Sequence, residues 1–74
     1  MKDKELRNII TQKLIMLRKE KGLTQTQLGE IVGKKKTTVA SWEQGDSLPD
    51  IETFYKLSQF YEKSLDYMYG IKDK

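Results

Sequence analysis

No cysteine and no histidine occur in the 74 residues. The first absence removes disulfides and thiolate metal sites. The second removes the commonest general base and the commonest metal ligand. There is no glycine-rich phosphate loop and no acid pair with an evident pocket, so an enzyme is not expected, nor a cofactor, a metal or a small-molecule substrate. A single proline interrupts the chain. No apolar run is long enough to span a bilayer and no signal peptide is visible, which points away from membranes and toward a cytoplasmic location. Without staples, a chain this short lies near the lower limit of what one hydrophobic core supports. Stability must come from helix packing or from association.

Charge is plentiful and uneven. Residues 1–36 hold 10 basic and 4 acidic side chains, whereas residues 37–74 hold 4 basic and 7 acidic ones. Such asymmetry gives one face suited to a polyanion, or simply two differently solvated surfaces.

What is abundant is helical periodicity. Leu6, Ile10, Leu14 and Leu17 form one stripe, ended by Gly22 after Lys19 and Lys21. Thr24 and Gln27 have the spacing of a capping box, and Leu28, Ile31 and Val32 are the apolar positions of the helix it opens. Gly29 inside that helix costs about 1 kcal/mol relative to alanine, which makes sense if another helix crosses closely. Gly33 stops it. A third helix runs from about Lys36 to Gln44, with Val39 and Trp42 as its buried pair and Gly45 at its end. Asp50, after Pro49, caps a fourth helix whose inward face is Ile51, Phe54, Leu57, Ser58 and Tyr61. Ser64 caps a short fifth helix with Leu65, Met68 and Tyr69; Gly70 closes it, and residues 71–74 read as a frayed tail. With no period-two alternation and no internal repeat, the expectation is an all-α chain, one five-helix domain over residues 1–74.

Lys34, Lys35 and Lys36 crowd the start of the third helix. Cations there oppose the helix dipole by about 0.3–1 kcal/mol each. A sequence chosen for stability alone would place Ser, Asp or Glu there. Phosphate reverses the penalty, because backbone N–H groups and ammonium groups then meet the same anion. Lys36, Thr37 and Ser41 lie on the face opposite Val39 and Trp42. Lysine can donate to guanine O6 and N7, and threonine can hydrogen-bond or pack its methyl on thymine. The plainer alternatives are a solvated charge run and an ordinary polar helix surface.

Gln25, Leu28, Gly29, Gly33, Val39, Trp42, Glu43 and Gly45, with Pro49 and Ser64-Leu65-Asp66, resemble the Cro/cI-type, or XRE-type, helix-turn-helix DNA-binding family over about residues 8–70. The resemblance implies a compact phage-repressor-like domain, with the helix-turn-helix at about residues 24–45 and the third helix in the major groove. Lys36, Thr37 and Ser41 match the base-reading positions. Gln25 and Gln44 match positions that contact phosphate. Beside that resemblance, Thr24, Lys34 and Lys35, at the starts of the two helices, are also expected to contact phosphate. Arg18 and Glu43 match an ion pair tying the first helix to the end of the third. Three departures stand out: Lys35 where Ser or Thr usually caps the third helix, an acid in the loop Asp46-Ser47-Leu48, and Tyr61 and Lys63 in place of aliphatics.

The expected function is that of a transcriptional regulator, a repressor of phage or prophage type. It would bind a palindromic double-stranded operator as a homodimer that is weak in solution. Tyr55, Tyr61, Tyr67 and Tyr69 with Phe60 and Met68 crowd the C-terminal third. They read either as core and rim of the small domain, or as a partial surplus around Tyr61, Tyr67, Met68 and Tyr69 that supplies the partner surface. The rival expectation is a protein-interaction module, such as an antitoxin or bridging factor with weak DNA affinity, acting through that same aromatic region.

Overall fold

A computed structural model describes residues 3–70; the tail at 71–74 lies outside the described residues. The helices are α1 (Asp3–Glu20), α2 (Gln25–Val32), α3 (Lys36–Gln44), α4 (Ile51–Tyr61) and α5 (Leu65–Met68), and no strand occurs among the described residues. Each of the last four starts where a cap allows it. The Thr24 hydroxyl accepts from Gln27 N–H while the Gln27 amide oxygen accepts from Thr24 N–H. Asp50 accepts from Thr53 N–H and Ser64 from Tyr67 N–H. Lys35 caps α3 with its backbone alone, making no side-chain bond to the helix.

The helices share one core. It is built from Ile10, Leu14 and Leu17 of α1, Leu28 and Val32 of α2, Val39 and Trp42 of α3, Phe54, Leu57 and Tyr61 of α4, and Tyr67 and Met68 of α5. Three apolar residues expected inside lie outside: Leu6, Ile31 and Ile51, the last 82 % exposed. Ile51 is the first residue of its helix, and Leu6 lies one turn before Ile10. Periodicity marks a stripe but not where the covering neighbour stops.

The aromatic C-terminal region decides between its two readings. Tyr61, Tyr67 and Met68 are buried in the chain's own core, and Tyr69 packs on Phe54 with ring centroids 4.9 Å apart. They are not a surplus left for a partner. A four-residue helix can reach a core only with large side chains, and these are the ones it uses. The Lys13 and Lys63 ammonium groups lie 4.2 and 5.0 Å from the Tyr67 ring centroid, so the ring is also engaged by two cations.

Gly29 is also explained differently from expectation. A Cβ there would collide with the Lys34 carbonyl oxygen, in the turn that leads to α3, rather than with a crossing helix. The Lys34 N–H donates to the Gly29 carbonyl at 2.7 Å, and Gly33 between them takes φ +73°. The turn therefore folds back onto α2 and fixes where α3 begins.

Glu62 ends α4 at φ +56°, in the left-handed region that costs a non-glycine residue about 1–2 kcal/mol. Part of that gain is returned through the flexibility glycine adds to the unfolded chain. Glu62→Gly is therefore expected to raise the thermal midpoint by a few degrees, and an unchanged or lower midpoint in a melt would count against strain at this cap.

Candidate nucleic-acid interface

Helix α3 is amphipathic in the sense a reading helix requires. Val39 and Trp42 are buried, while Lys34, Lys35, Lys36, Thr37 and Gln44 are exposed. Thr37, Ser41 and Gln44 fall four and then three residues apart, so they form one stripe along the outer face. Lys36 heads it. The first turn has no side-chain cap, and Lys34, Lys35 and Lys36 are exposed around it.

The stripe is not uniformly free. The Ser41 hydroxyl lies 2.7 Å from that of Ser47, and the Ser41 carbonyl accepts from Asp46 and Ser47 N–H. Ser41 is half-buried and holds the loop after α3 against the helix. Lys36 and Thr37 have no such engagement in the described hydrogen bonds.

A polar network fixes how α3 sits on its neighbours. Arg18 Nε donates to Glu43 Oε2 at 2.6 Å and Arg18 Nη2 to Glu43 Oε1 at 3.0 Å. Arg18 Nη1 donates to the Leu23 carbonyl at 2.7 Å. The hydrogen bond to Glu43 raises the Arg18 pKa above its ordinary value, against the opposing effect of burial. Gln25 joins from α2, donating through Nε2 to Glu43 Oε1 at 3.0 Å. One carboxylate thus ties α1, α2 and α3 together. Gln25 is committed to it by one amide hydrogen and keeps the other. The Thr24 oxygen accepts the cap bond and keeps its hydroxyl hydrogen to donate.

The nearby Tyr61 hydroxyl is buried with no hydrogen-bond partner among the described residues. Burial chiefly, and then the Glu43 charge, push its ionisation up to about 12, with Arg18 pulling the other way.

Acids temper the basic end. The Asp50 carboxyl is held below its ordinary range, first by its hydrogen bonds to Thr53 and then by the nearby charges of Lys34 and Lys56. Lys34 therefore lies within the field of Asp50. Asp46 is exposed in the loop after α3.

Thr11 was not foreseen as part of this arrangement. Its hydroxyl, buried on α1, donates to the Trp42 carbonyl at 3.2 Å and anchors the last turn of α3. The signal available was a threonine beside Ile10, at the edge of an apolar stripe, where a hydroxyl needs a partner.

A family model described as helix-turn-helix matches residues 14–68. Among curated proteins, the chain is similar to the HTH-type transcriptional activator BcrR of Enterococcus faecalis, 36% identical over 55 residues, which covers 74% of this chain and 27% of that protein. It is also similar to an uncharacterized HTH-type transcriptional regulator, YobD, of Bacillus subtilis (strain 168), 34% identical over 62 residues, covering 84% of this chain and 55% of the relative. The chain's matching part thus spans about a quarter and about half of these two relatives. No solved structure gives a significant match.

Proposed function

Because the chain belongs to the helix-turn-helix family of DNA-binding transcriptional regulators, we propose that it reads a specific double-stranded operator with α3 in the major groove. The observation that carries this is the outer stripe of α3. A reading surface must be polar, exposed and rigidly backed. Here Lys36 and Thr37 are exposed, Val39 and Trp42 bury the opposite face, and the Arg18–Glu43–Gln25 network holds the helix from behind. Lys36 and Thr37 are the base readers of this reading. Ser41 contributes mainly by setting the loop. Lys34, Lys35, Gln25, Gln44 and the start of α2 at Thr24 meet phosphate.

One such module contacts too few bases for a useful specificity ratio, so the operator is taken to be two half-sites bound by a symmetric dimer. The second copy needs a surface, and the buried C-terminal aromatics do not supply one. Ile51 and Tyr55 do: they are 82 % and 58 % exposed, one turn apart on α4, close after the loop that follows α3. Beside them Lys56 and Glu52 pair at 3.6 Å, which leaves the patch near neutral and able to meet its own copy. The rival adaptor reading loses Tyr61, Tyr67 and Met68 to the core for the same reason, and of its aromatic region keeps Tyr55 exposed.

Direction of regulation follows from where the operator lies. The same bound dimer occludes polymerase at one position and is placed beside it at another. BcrR carries the name of an activator; for this chain we propose repression, by occlusion.

Selection of bound sequences from a random duplex pool tests the proposal. The winners should share a short motif repeated with two-fold symmetry, its halves about 34–36 Å apart or a multiple of that. A pool that shows no enrichment at physiological salt would overturn it. On the selected duplex, binding should be cooperative. Ile51→Ser with Tyr55→Ser should abolish the cooperativity without changing affinity for a single half-site. Independent filling of the half-sites by the unaltered protein would remove the dimer.

A further inference from the structure

The family match begins at residue 14, but α1 begins at Asp3. The turns of α1 ahead of the match build a feature of their own against the end of α3. Arg7 Nη1 donates to the Gly45 carbonyl at 3.3 Å, and Thr11 donates to the Trp42 carbonyl at 3.2 Å. Between the two helices runs an open groove of about 700 Å³. Its walls carry Arg7, Asn8, Gln12 and Gln44, with Glu5 and Glu43.

Three features of this groove decide what it can hold. Gln44 lies seven residues after Thr37 on the same stripe, about 10 Å further along the axis, so the groove continues the reading face at its far end. No large apolar side chain lines it, and the functional groups at its walls are charged or polar. Its side chains offer one guanidinium and three carboxamides, the mixture of charged and neutral donors that positions a protein on a phosphodiester backbone. Of the two acids, Glu43 is already paired with Arg18, whereas Glu5 sits at the exposed side of the groove.

We propose that this groove seats one backbone phosphate per half-site, with Arg7 as the charged anchor and Asn8, Gln12 and Gln44 as neutral donors. The inference rests on the DNA-reading function proposed above and extends the contact beyond the region shared with the family. Arg7 keeps donors free beyond its one bond to Gly45, since a guanidinium carries five N–H groups. Glu5 limits the affinity, and its charge has the wrong sign for the site.

The test uses the whole chain and its selected operator duplex, titrated across salt concentrations, with ethylation interference to locate the phosphates that matter. Arg7→Ala should weaken binding about tenfold per contact at low salt. It should reduce the salt slope by about one contact per subunit and leave base preference unchanged. One phosphate in each half-site should drop out of the interference pattern. Arg7→Lys should restore most of the salt slope, although it cannot reproduce the geometry of the bond to Gly45. Glu5→Gln should tighten binding. A merely structural Arg7 would lower the melting temperature and leave the salt slope and the interference pattern as they were, and that result would overturn the proposal. Lys36→Ala measured alongside separates the two levels. If it loses operator preference while the Arg7 variants match the unaltered protein, only the groove assignment fails. If the random pool yields no enriched duplex and neither Lys36→Ala nor Thr37→Ala changes preference, the DNA-reading function fails with it.

Discussion

Arg18→Ala is expected to destabilise the fold by about 2–4 kcal/mol, an effect large enough to see in a thermal or denaturant melt. The guanidinium satisfies both oxygens of Glu43 and the Leu23 carbonyl, and the two side chains are only 14% and 8% exposed. Its removal leaves a nearly buried carboxylate held by the Gln25 amide alone. The penalty is mostly that of the stranded charge and is not a measure of the pair's net worth. Glu43→Ala should cost somewhat less, because Arg18 keeps the Leu23 carbonyl and its longer stem can reach water. The double replacement Arg18→Ala, Glu43→Ala should therefore cost less than the sum of the single changes, with a coupling of about 1–3 kcal/mol. Simple additivity in that cycle would mean that the pair does not hold α1 to α3. The pair also has a functional consequence. It fixes the far end of α3, and a reading helix that can rock loses the register on which base contacts depend.

Much of this arrangement was legible because each helix announces itself twice, by a stripe and by a cap. Thr24 with Gln27, Asp50 and Ser64 all act as the sequence spacing says they should. The Arg18–Glu43 pair was legible only through the family resemblance, since the two residues are 25 positions apart and nothing local joins them. What could not be read was set by tertiary placement. Ile31 and Ile51 sit at apolar positions yet face solvent. Tyr61, Tyr67 and Met68 could be read as core or as surplus for a partner, and only the packing of the short α5 shows that they are core. Gly29 signalled a close approach correctly, though the approaching group is the turn backbone at Lys34. Ser41 lies on the right face by helical arithmetic, but arithmetic does not show that a loop serine two residues past Gly45 claims its hydroxyl. The groove at Arg7 was illegible for a different reason: it lies in the part of α1 ahead of the family match and joins residues about 38 positions apart.

The reading surface itself makes the last prediction, and its strength is a contrast between neighbours. Lys36 heads the outer stripe of α3, whereas Lys34 lies in the turn before it and within the field of Asp50. A side chain that reads bases loses specificity when cut back; one that meets phosphate loses affinity on every sequence alike. Lys36→Ala should therefore cost about 1–3 kcal/mol per half-site on the operator, relax preference at one or two base pairs, and change binding to random duplex much less. Lys34→Ala should weaken operator and random duplex together and lower the salt slope by about one phosphate per subunit. Asp50→Asn removes an acid from the same end of the surface and should strengthen both kinds of binding slightly, provided its amide oxygen still caps α4. Measuring both duplexes across a salt series for all three variants separates these roles. Equal losses on operator and random duplex from Lys36→Ala would make it one more phosphate contact, and Thr37 would be left as the only free base reader on the stripe.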